Sequence, residues 1–160
     1  MNLRIYNEMK RTVLFIGMLI FCISLSAQSG TAAYDSVLAK RLGADDYGMK
    51  YYVLVILTPG TNQIEKGVVR DSIFRGHRKN IGKLAESGKL VIAGPFGDND
   101  KLYQGIFILN AKTVAEAKEL LQTDPAINAK VLDAELYEWY GSAALGEYLK
   151  IQRSITKNNF

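Results

Sequence analysis

Apolar and polar residues alternate along this chain with two different periods, and the changes of period mark six elements. Short apolar runs that end at Gly or Pro predict strands, whereas an apolar residue at every third or fourth position predicts a helix. Thr113 and Glu116 form a capping-box pattern at the start of the second helix. In chain order the pattern predicts a strand at 51–57, a helix at 72–86, strands at 90–93 and 105–109, a helix from 114, and a strand at 131–140.

This order, strand-helix-strand-strand-helix-strand, is typical of an α+β ferredoxin-like fold, in which both helices cover one face of an antiparallel sheet. The other face of such a sheet is expected to alternate apolar with polar residues. The first strand does not, because residues 51–57 are apolar on both faces. A second copy of the same sheet is the economical cover for that surface, so the pattern predicts a homodimer.

The first 27 residues have the composition of a secretory signal peptide. A basic start is followed by an apolar run at 13–25 and by the small residues Ser26 and Ala27. The run is shorter than the roughly 20 residues that a bilayer-spanning helix needs, which makes a retained anchor the weaker alternative. We therefore predict a signal peptide at 1–27, a linker at 28–48 with room for one short helix, and an exported protein, periplasmic or secreted, without a stable membrane anchor.

Removal of this leader changes the charge and the available chemistry. The chain has 20 basic and 16 acidic side chains, and the leader holds three of the basic and one of the acidic ones, which leaves a net charge of +2. So small an excess gives little support to nucleic-acid binding. Cleavage also removes Cys22, the only cysteine, and with it any disulfide or thiolate site. No phosphate-binding glycine loop, dinucleotide fingerprint or nucleophile elbow occurs in the sequence, and we predict no cofactor and no metal.

The only histidine of the chain lies on the apolar side of the first predicted helix. Helical steps along Ile73, His77, Ile81 and Leu84 place it in the middle of the apolar stripe. An imidazole that faces the core needs a hydrogen-bond partner or a cavity. His77 is therefore the first candidate for acid–base chemistry, and a structural histidine satisfied within the core is the alternative.

With this layout, the chain resembles the YCII-related domain family, dimeric α+β barrels of ferredoxin-like topology. The resemblance covers about residues 49–145. It is carried by His77 on a helix, by the string Leu84-Ala-Glu-Ser-Gly-Lys-Leu-Val-Ile-Ala-Gly-Pro95, and by Thr123-Asp-Pro125 after the second helix. The string Trp-Tyr-Gly-Ser-Ala-Ala-Leu at 139–145 looks like a secreted, Bacteroidetes-type branch of the family.

The resemblance implies a homodimer with a pocket in each protomer and a histidine–aspartate pair, here His77 and Asp124. An aspartate that accepts from one imidazole nitrogen fixes the tautomer and leaves the other nitrogen to exchange protons with a ligand. Asp124 alone has a simpler explanation, because Asp before Pro is a common helix N-cap. The family implies no single reaction.

Four further residues are candidates for the walls of this pocket. Gly94, Pro95 and Phe96 form a corner in which glycine permits close approach and phenylalanine supplies an apolar surface. A simple turn at the end of the strand explains the same residues. Tyr52 is a possible hydroxyl donor, with packing in the core as its alternative.

Two functions fit these observations. The first is a small enzyme that carries out proton transfer, isomerisation or elimination on a small organic molecule, with His77 as general acid/base and Asp124 as its orienting partner. The second is a non-catalytic dimeric module that binds a ligand or a partner in the cell envelope. The tail at 141–160 has a helical stripe and is predicted to dock on the domain or on the partner subunit.

Overall fold

The computed structural model describes residues 33–157, and the predicted signal peptide at 1–27 lies outside them. A short helix occupies part of the segment that the sequence predicted as a linker, and a 3₁₀ helix and an α-helix lie within the predicted tail. The elements are α1 (Ser36–Leu42), β1 (Met49–Pro59), α2 (Val68–Glu86), β2 (Leu90–Pro95), β3 (Gly105–Leu109), α3 (Val114–Leu121), α4 (Pro125–Asn128), β4 (Leu132–Ser142), the 3₁₀ helix (Ala143–Glu147) and α5 (Tyr148–Ile155).

The four strands form one antiparallel sheet in the order β2-β3-β1-β4. Strand β1 is central, and its Val55 pairs with Phe107 of β3 on one side and with Leu136 of β4 on the other. Helix α2 connects β1 to β2, and α3 and α4 connect β3 to β4. This is the ferredoxin-like α+β topology that the sequence predicted.

One face of the sheet packs against the helices and forms the main core. Strand side chains alternate between the two faces, so every second residue of β1 points to this side. Val53 and Val55 are completely buried there. They pack with Phe107 of β3, Leu84 of α2 and Leu121 of α3. Burial of each such side chain contributes about 1.5–3 kcal/mol to the free energy of unfolding, which makes this layer the main source of stability.

The second face of the sheet has a smaller core of its own. The phenolic hydroxyl of Tyr52 donates a 3.0 Å hydrogen bond to the carbonyl of Ser142, and the Tyr52 ring lies 5.8 Å from that of Trp139. Leu145 of the 3₁₀ helix packs against this cluster. The apolar residues on both faces of β1 therefore serve two cores, and part of the second is built by the tail of the same chain.

Helix α2 begins at Val68, four residues before the start predicted from the sequence. Val68 and Val69 are largely exposed, so they do not extend the apolar stripe from which the start was predicted. The first turn is instead set by the backbone, because the amide of Asp71 donates to the carbonyl of Gly67 at 2.9 Å. The amphipathic pattern therefore identified only the part of the helix that packs on the sheet.

Polar contacts attach helix α1 to the far end of the chain. Arg41 forms a 2.8 Å ion pair with Glu147, and Lys150 contacts the same carboxylate at 2.7 Å. Hydrogen bonds from Arg41 and Lys150 lower the pKa of Glu147 to about 2.

Within residues 33–157, no helix is long and apolar enough to cross a membrane.

Candidate functional site

The side chains of His77 and Asp124 are in direct contact. The Nδ1 atom of His77 is 2.7 Å from Oδ2 of Asp124, and the two residues are 9% and 1% exposed. Helix α2 carries the histidine, and the aspartate lies in the turn between α3 and α4, 47 residues further along the chain. The fold thus brings together the two residues that the sequence singled out as a pair.

The two carboxylate oxygens of Asp124 have different partners. Its Oδ2 faces the histidine, while its Oδ1 accepts a 2.9 Å hydrogen bond from the backbone amide of Ala126 and so caps helix α4. Pro125 follows as the first residue of that helix. The cap and the histidine contact use different oxygens, so Asp124 makes both contacts at the same time. The cap also fixes the direction in which the second oxygen points.

Close packing of helix α2 on α4 makes this contact possible. A Cβ atom at Gly76 would lie 2.9 Å from Cγ of Pro125, a distance that real Cβ contacts do not show. Glycine at this position therefore lets the helices approach each other immediately beside His77 and Asp124.

Two aromatic side chains hold the imidazole ring in place. The ring of Phe107 lies roughly parallel to it, with centroids 5.9 Å apart and planes inclined by 26°. The ring of Phe74 meets the imidazole edge to face, with centroids 5.9 Å apart and planes inclined by 76°. Phe107 belongs to the main core, so the floor under His77 is the helix-covered face of β3. Packing and the aspartate together restrict His77 to one orientation.

The aspartate also determines which nitrogen of His77 carries the proton. A carboxylate can only accept hydrogen bonds, so Nδ1 must be the protonated nitrogen of the neutral ring. Nε2 has no hydrogen-bond partner among residues 33–157. Every fully buried side-chain nitrogen or oxygen in that range has a hydrogen-bond partner, so Nε2 is not fully buried. Nε2 therefore reaches accessible surface with its lone pair free, as a general base requires.

The other four pocket candidates lie apart from this pair to different degrees. Tyr52 is on the opposite face of the sheet, where burial raises its pKa and its hydroxyl binds the carbonyl of Ser142. Gly94 pairs with Ile106 and alternates to that same face. Pro95 alone shares the helix-covered face, two residues beyond Ala93, the β2 partner of Phe107.

Phe96 lies just past the end of β2. Its side chain is 45% exposed, and its ring is 6.1 Å from that of Tyr103. The corner at 94–96 therefore ends a strand, and only its proline lies on the side of His77.

Sequence reasoning missed Asn80, the third buried polar residue of the described chain. It is 7% exposed and one helical turn after His77, and its side-chain amide is 3.0 Å from the hydroxyl oxygen of Thr123. The signal was present in the sequence, because position 80 lies three residues beyond 77 on the same helix face.

Between residues 33 and 157 there is no group of three or more His, Cys, Asp or Glu that could hold a metal ion.

The fold and this geometry define a ferredoxin-like α+β domain with a buried histidine–aspartate pair. The YCII-related domain family matches residues 49–140, more than half of the chain, and the chain belongs to this family. The match confirms the resemblance drawn from the sequence, while the secreted, Bacteroidetes-type branch stays a prediction.

The fold also has a likeness among solved structures. The chain is similar to 5-chloro-2-hydroxyhydroquinone dehydrochlorinase (TftG) from Burkholderia phenoliruptrix AC1100, solved in complex with 2,5-dihydroxybenzoquinone. The two share 21% sequence identity, and the match covers 54% of this chain and 92% of that one with a TM-score of 0.37. No curated protein matches the chain.

Proposed function

We propose that this protein acts on a small organic molecule by proton transfer, with His77 as general acid/base and Asp124 as the residue that orients it. The observation that carries the proposal is the buried 2.7 Å contact between His77 Nδ1 and Asp124 Oδ2. It leaves Nε2 as the basic atom and holds it by packing against Phe74 and Phe107. A base in a fixed position and tautomer is what general catalysis requires.

The chemistry that this pair supports has two halves. Nε2 first removes a proton from an acidic C–H or O–H of the bound molecule, and the negative charge of Asp124 stabilises the imidazolium that forms. The electron pair left behind then forms a double bond. In an isomerisation an existing double bond breaks at the same time, its electron pair moves to the far atom of that bond, and the imidazolium returns the proton to this atom. In an elimination a leaving group departs with its own electron pair, and the proton is later lost to solvent.

A ligand screen of the wild-type protein tests this proposal. A metabolite library is scanned by thermal shift, and each hit is followed by mass spectrometry and repeated with His77→Gln. Hits are expected to raise the melting temperature of the wild type only, because glutamine cannot exchange the proton or reproduce the aspartate contact. Conversion of a hit to product marks an enzyme, whereas binding without conversion marks the non-catalytic module. Equal binding by both proteins would place the site elsewhere.

We also propose that two copies associate through the second face of the sheet. Leu54 and Ile92 on that face are only partly buried, and Tyr137, the β4 partner of Leu54, is half exposed. Light scattering is expected to give twice the mass of one chain, and Tyr137→Asp is expected to shift the population toward monomer. A monodisperse wild-type monomer at micromolar concentration would mean that the tail covers this face sufficiently on its own.

The export of the protein is a separate proposal, supported by the composition of the first 27 residues. N-terminal sequencing of the protein recovered from its host should find a chain that begins close to Gln28, in the periplasm or the medium. A soluble exported protein that retains Met1 would contradict it.

A further inference from the structure

Asn80 is a buried polar side chain that the acid/base proposal does not use, although it lies one helical turn after His77. Its side-chain amide is 3.0 Å from the hydroxyl oxygen of Thr123, the residue that immediately precedes Asp124. The single proton of that hydroxyl is donated to the carbonyl of Leu120 at 2.7 Å, so towards Asn80 the hydroxyl oxygen accepts and the amide nitrogen donates. One chain of hydrogen bonds therefore runs from α2 through Thr123 to the end of α3.

Three residues of α2 contact three successive residues of the turn between α3 and α4. The two segments run in opposite directions, and the contacts in order are Gly76 with Pro125, His77 with Asp124, and Asn80 with Thr123. Asp124 makes the middle contact. The position of its carboxylate relative to the imidazole therefore depends on the contacts on both sides.

The two outer contacts limit the separation between α2 and the turn in opposite directions. Pro125 lies so close to Gly76 that not even a methyl group fits between them, which sets the smallest separation. A hydrogen bond sets the largest one, because it is lost when donor and acceptor are more than about 3.5 Å apart. Among residues 33–157, the contact of Asn80 with Thr123 is the only side-chain hydrogen bond between α2 and the turn besides the His77–Asp124 contact itself.

We propose that Asn80 is a positioning residue, which keeps the carboxylate of Asp124 within hydrogen-bonding distance of His77 by holding Thr123. The catalytic meaning of this role rests on the proposed function, because the orientation of the imidazole matters only where Nε2 exchanges protons with a bound molecule. Asn80 itself makes no contact with that molecule. Without its hydrogen bond the turn moves away from α2 more often, and the His77–Asp124 contact opens in molecules that remain folded.

Exchange of the Nδ1 proton of His77 with solvent measures the opening of the pair directly. The full chain is labelled with ¹⁵N, and exchange of the Val55 backbone amide on the central strand reports global unfolding in the same sample. We expect Asn80→Leu and Thr123→Val each to speed exchange of the His77 proton about fivefold relative to the Val55 amide, the equilibrium factor of one lost hydrogen bond. Thr123 lies at the surface, so Thr123→Val covers the case in which leucine at position 80 disturbs folding.

Thr123→Ser is the matched control, because it keeps the hydroxyl and its His77 proton should exchange as in the wild type. The double variant of Asn80→Leu and Thr123→Val should exchange no faster than either single variant, since both changes remove the same hydrogen bond. Equal acceleration of the His77 proton and the Val55 amide would show that Asn80 stabilises the domain as a whole. An unchanged rate in both single variants would show that the pair is held without Asn80. Either result overturns the inference.

The metabolite screen with His77→Gln separates failure of this inference from failure of the proposed function. If both single variants speed exchange of the His77 proton but no molecule binds in a way that needs His77, the proposed function fails and Asn80 still positions Asp124. If a molecule is bound or converted only when His77 is present and the variants leave the exchange rate unchanged, the proposed function holds and the role of Asn80 is overturned.

Discussion

Replacement of Asp124 by asparagine is expected to remove most of the proton-transfer activity while the domain stays folded. Asparagine is as good an N-cap as aspartate, so its single side-chain oxygen can still accept from the amide of Ala126. The amide nitrogen must then face His77. Because that nitrogen can only donate, Nδ1 of His77 has to become an acceptor and its proton moves to Nε2. Nε2 then has no lone pair, and the base is lost.

The expected loss in turnover is about 10²–10⁴-fold, the usual contribution of a general base and of its correct tautomer. Because His77 is the only histidine of the chain, ¹⁵N NMR of the imidazole identifies the tautomer without assignment problems. The wild type should have its proton on Nδ1 and the variant on Nε2. Asp133→Asn, at an exposed position where the aspartate also accepts from a neighbouring backbone amide, is the control and should change neither quantity.

Combination with His77→Gln gives the stricter test of the pair. Two groups that act as one unit lose their shared interaction only once, so the double variant should be hardly worse than the more damaged single variant. Strictly additive losses, or an unchanged tautomer in Asp124→Asn, would reduce His77 to a structural histidine and Asp124 to a helix cap.

The contact between His77 and Asp124 shows what could be predicted from the sequence. Helical periodicity placed His77 on the buried face of α2, and the Asp-Pro dipeptide placed Asp124 at the start of a helix. The topology then had to bring the two helices side by side, and the family resemblance supplied the pairing. The local sequence pattern thus predicted where each residue lies in its helix, and the fold class predicted that the two helices lie close together.

Tyr52 and Asn80 show where such reasoning fails. A strand that is apolar on both faces has no polar side to mark its orientation, so the face of Tyr52 was settled only by its pairing with Trp139. Asn80 is polar in a mostly polar helix sequence, and its buried side chain contacts Thr123, a residue 43 positions away. Neither contact leaves a periodic trace, because both are made by the tertiary structure.

The tail shows the same limit on a larger scale. Its helical stripe was visible in the sequence, but the stripe does not say which surface covers it. In the structure Leu145 packs on the second face of the sheet, the surface for which a second subunit was predicted. The amount of that face still open to a partner depends on side-chain packing, which periodicity does not report.

Gly76→Ala is expected to destabilise the domain and to open the pair, whereas Gly82→Ala on the same helix should stabilise it. Alanine gains about 0.5–1 kcal/mol over glycine inside a helix, and at Gly82 nothing lies within 4 Å of the added methyl group. At Gly76 the methyl group would meet the ring of Pro125, which is rigid and part of α4. Overpacking of this kind costs about 1–3 kcal/mol, enough to exceed the gain in helix propensity.

The two glycine variants therefore separate backbone propensity from helix spacing. Urea unfolding should give a lower midpoint for Gly76→Ala and a higher one for Gly82→Ala, each relative to the wild type. Movement of Pro125 also moves Asp124, its neighbour, away from His77, so the imidazole of Gly76→Ala should exchange between tautomers while that of Gly82→Ala keeps its proton on Nδ1. Equal stabilisation by both variants would show that α4 yields freely to α2. The His77–Asp124 distance would then be set by the hydrogen bond itself and not by the packing of the two helices.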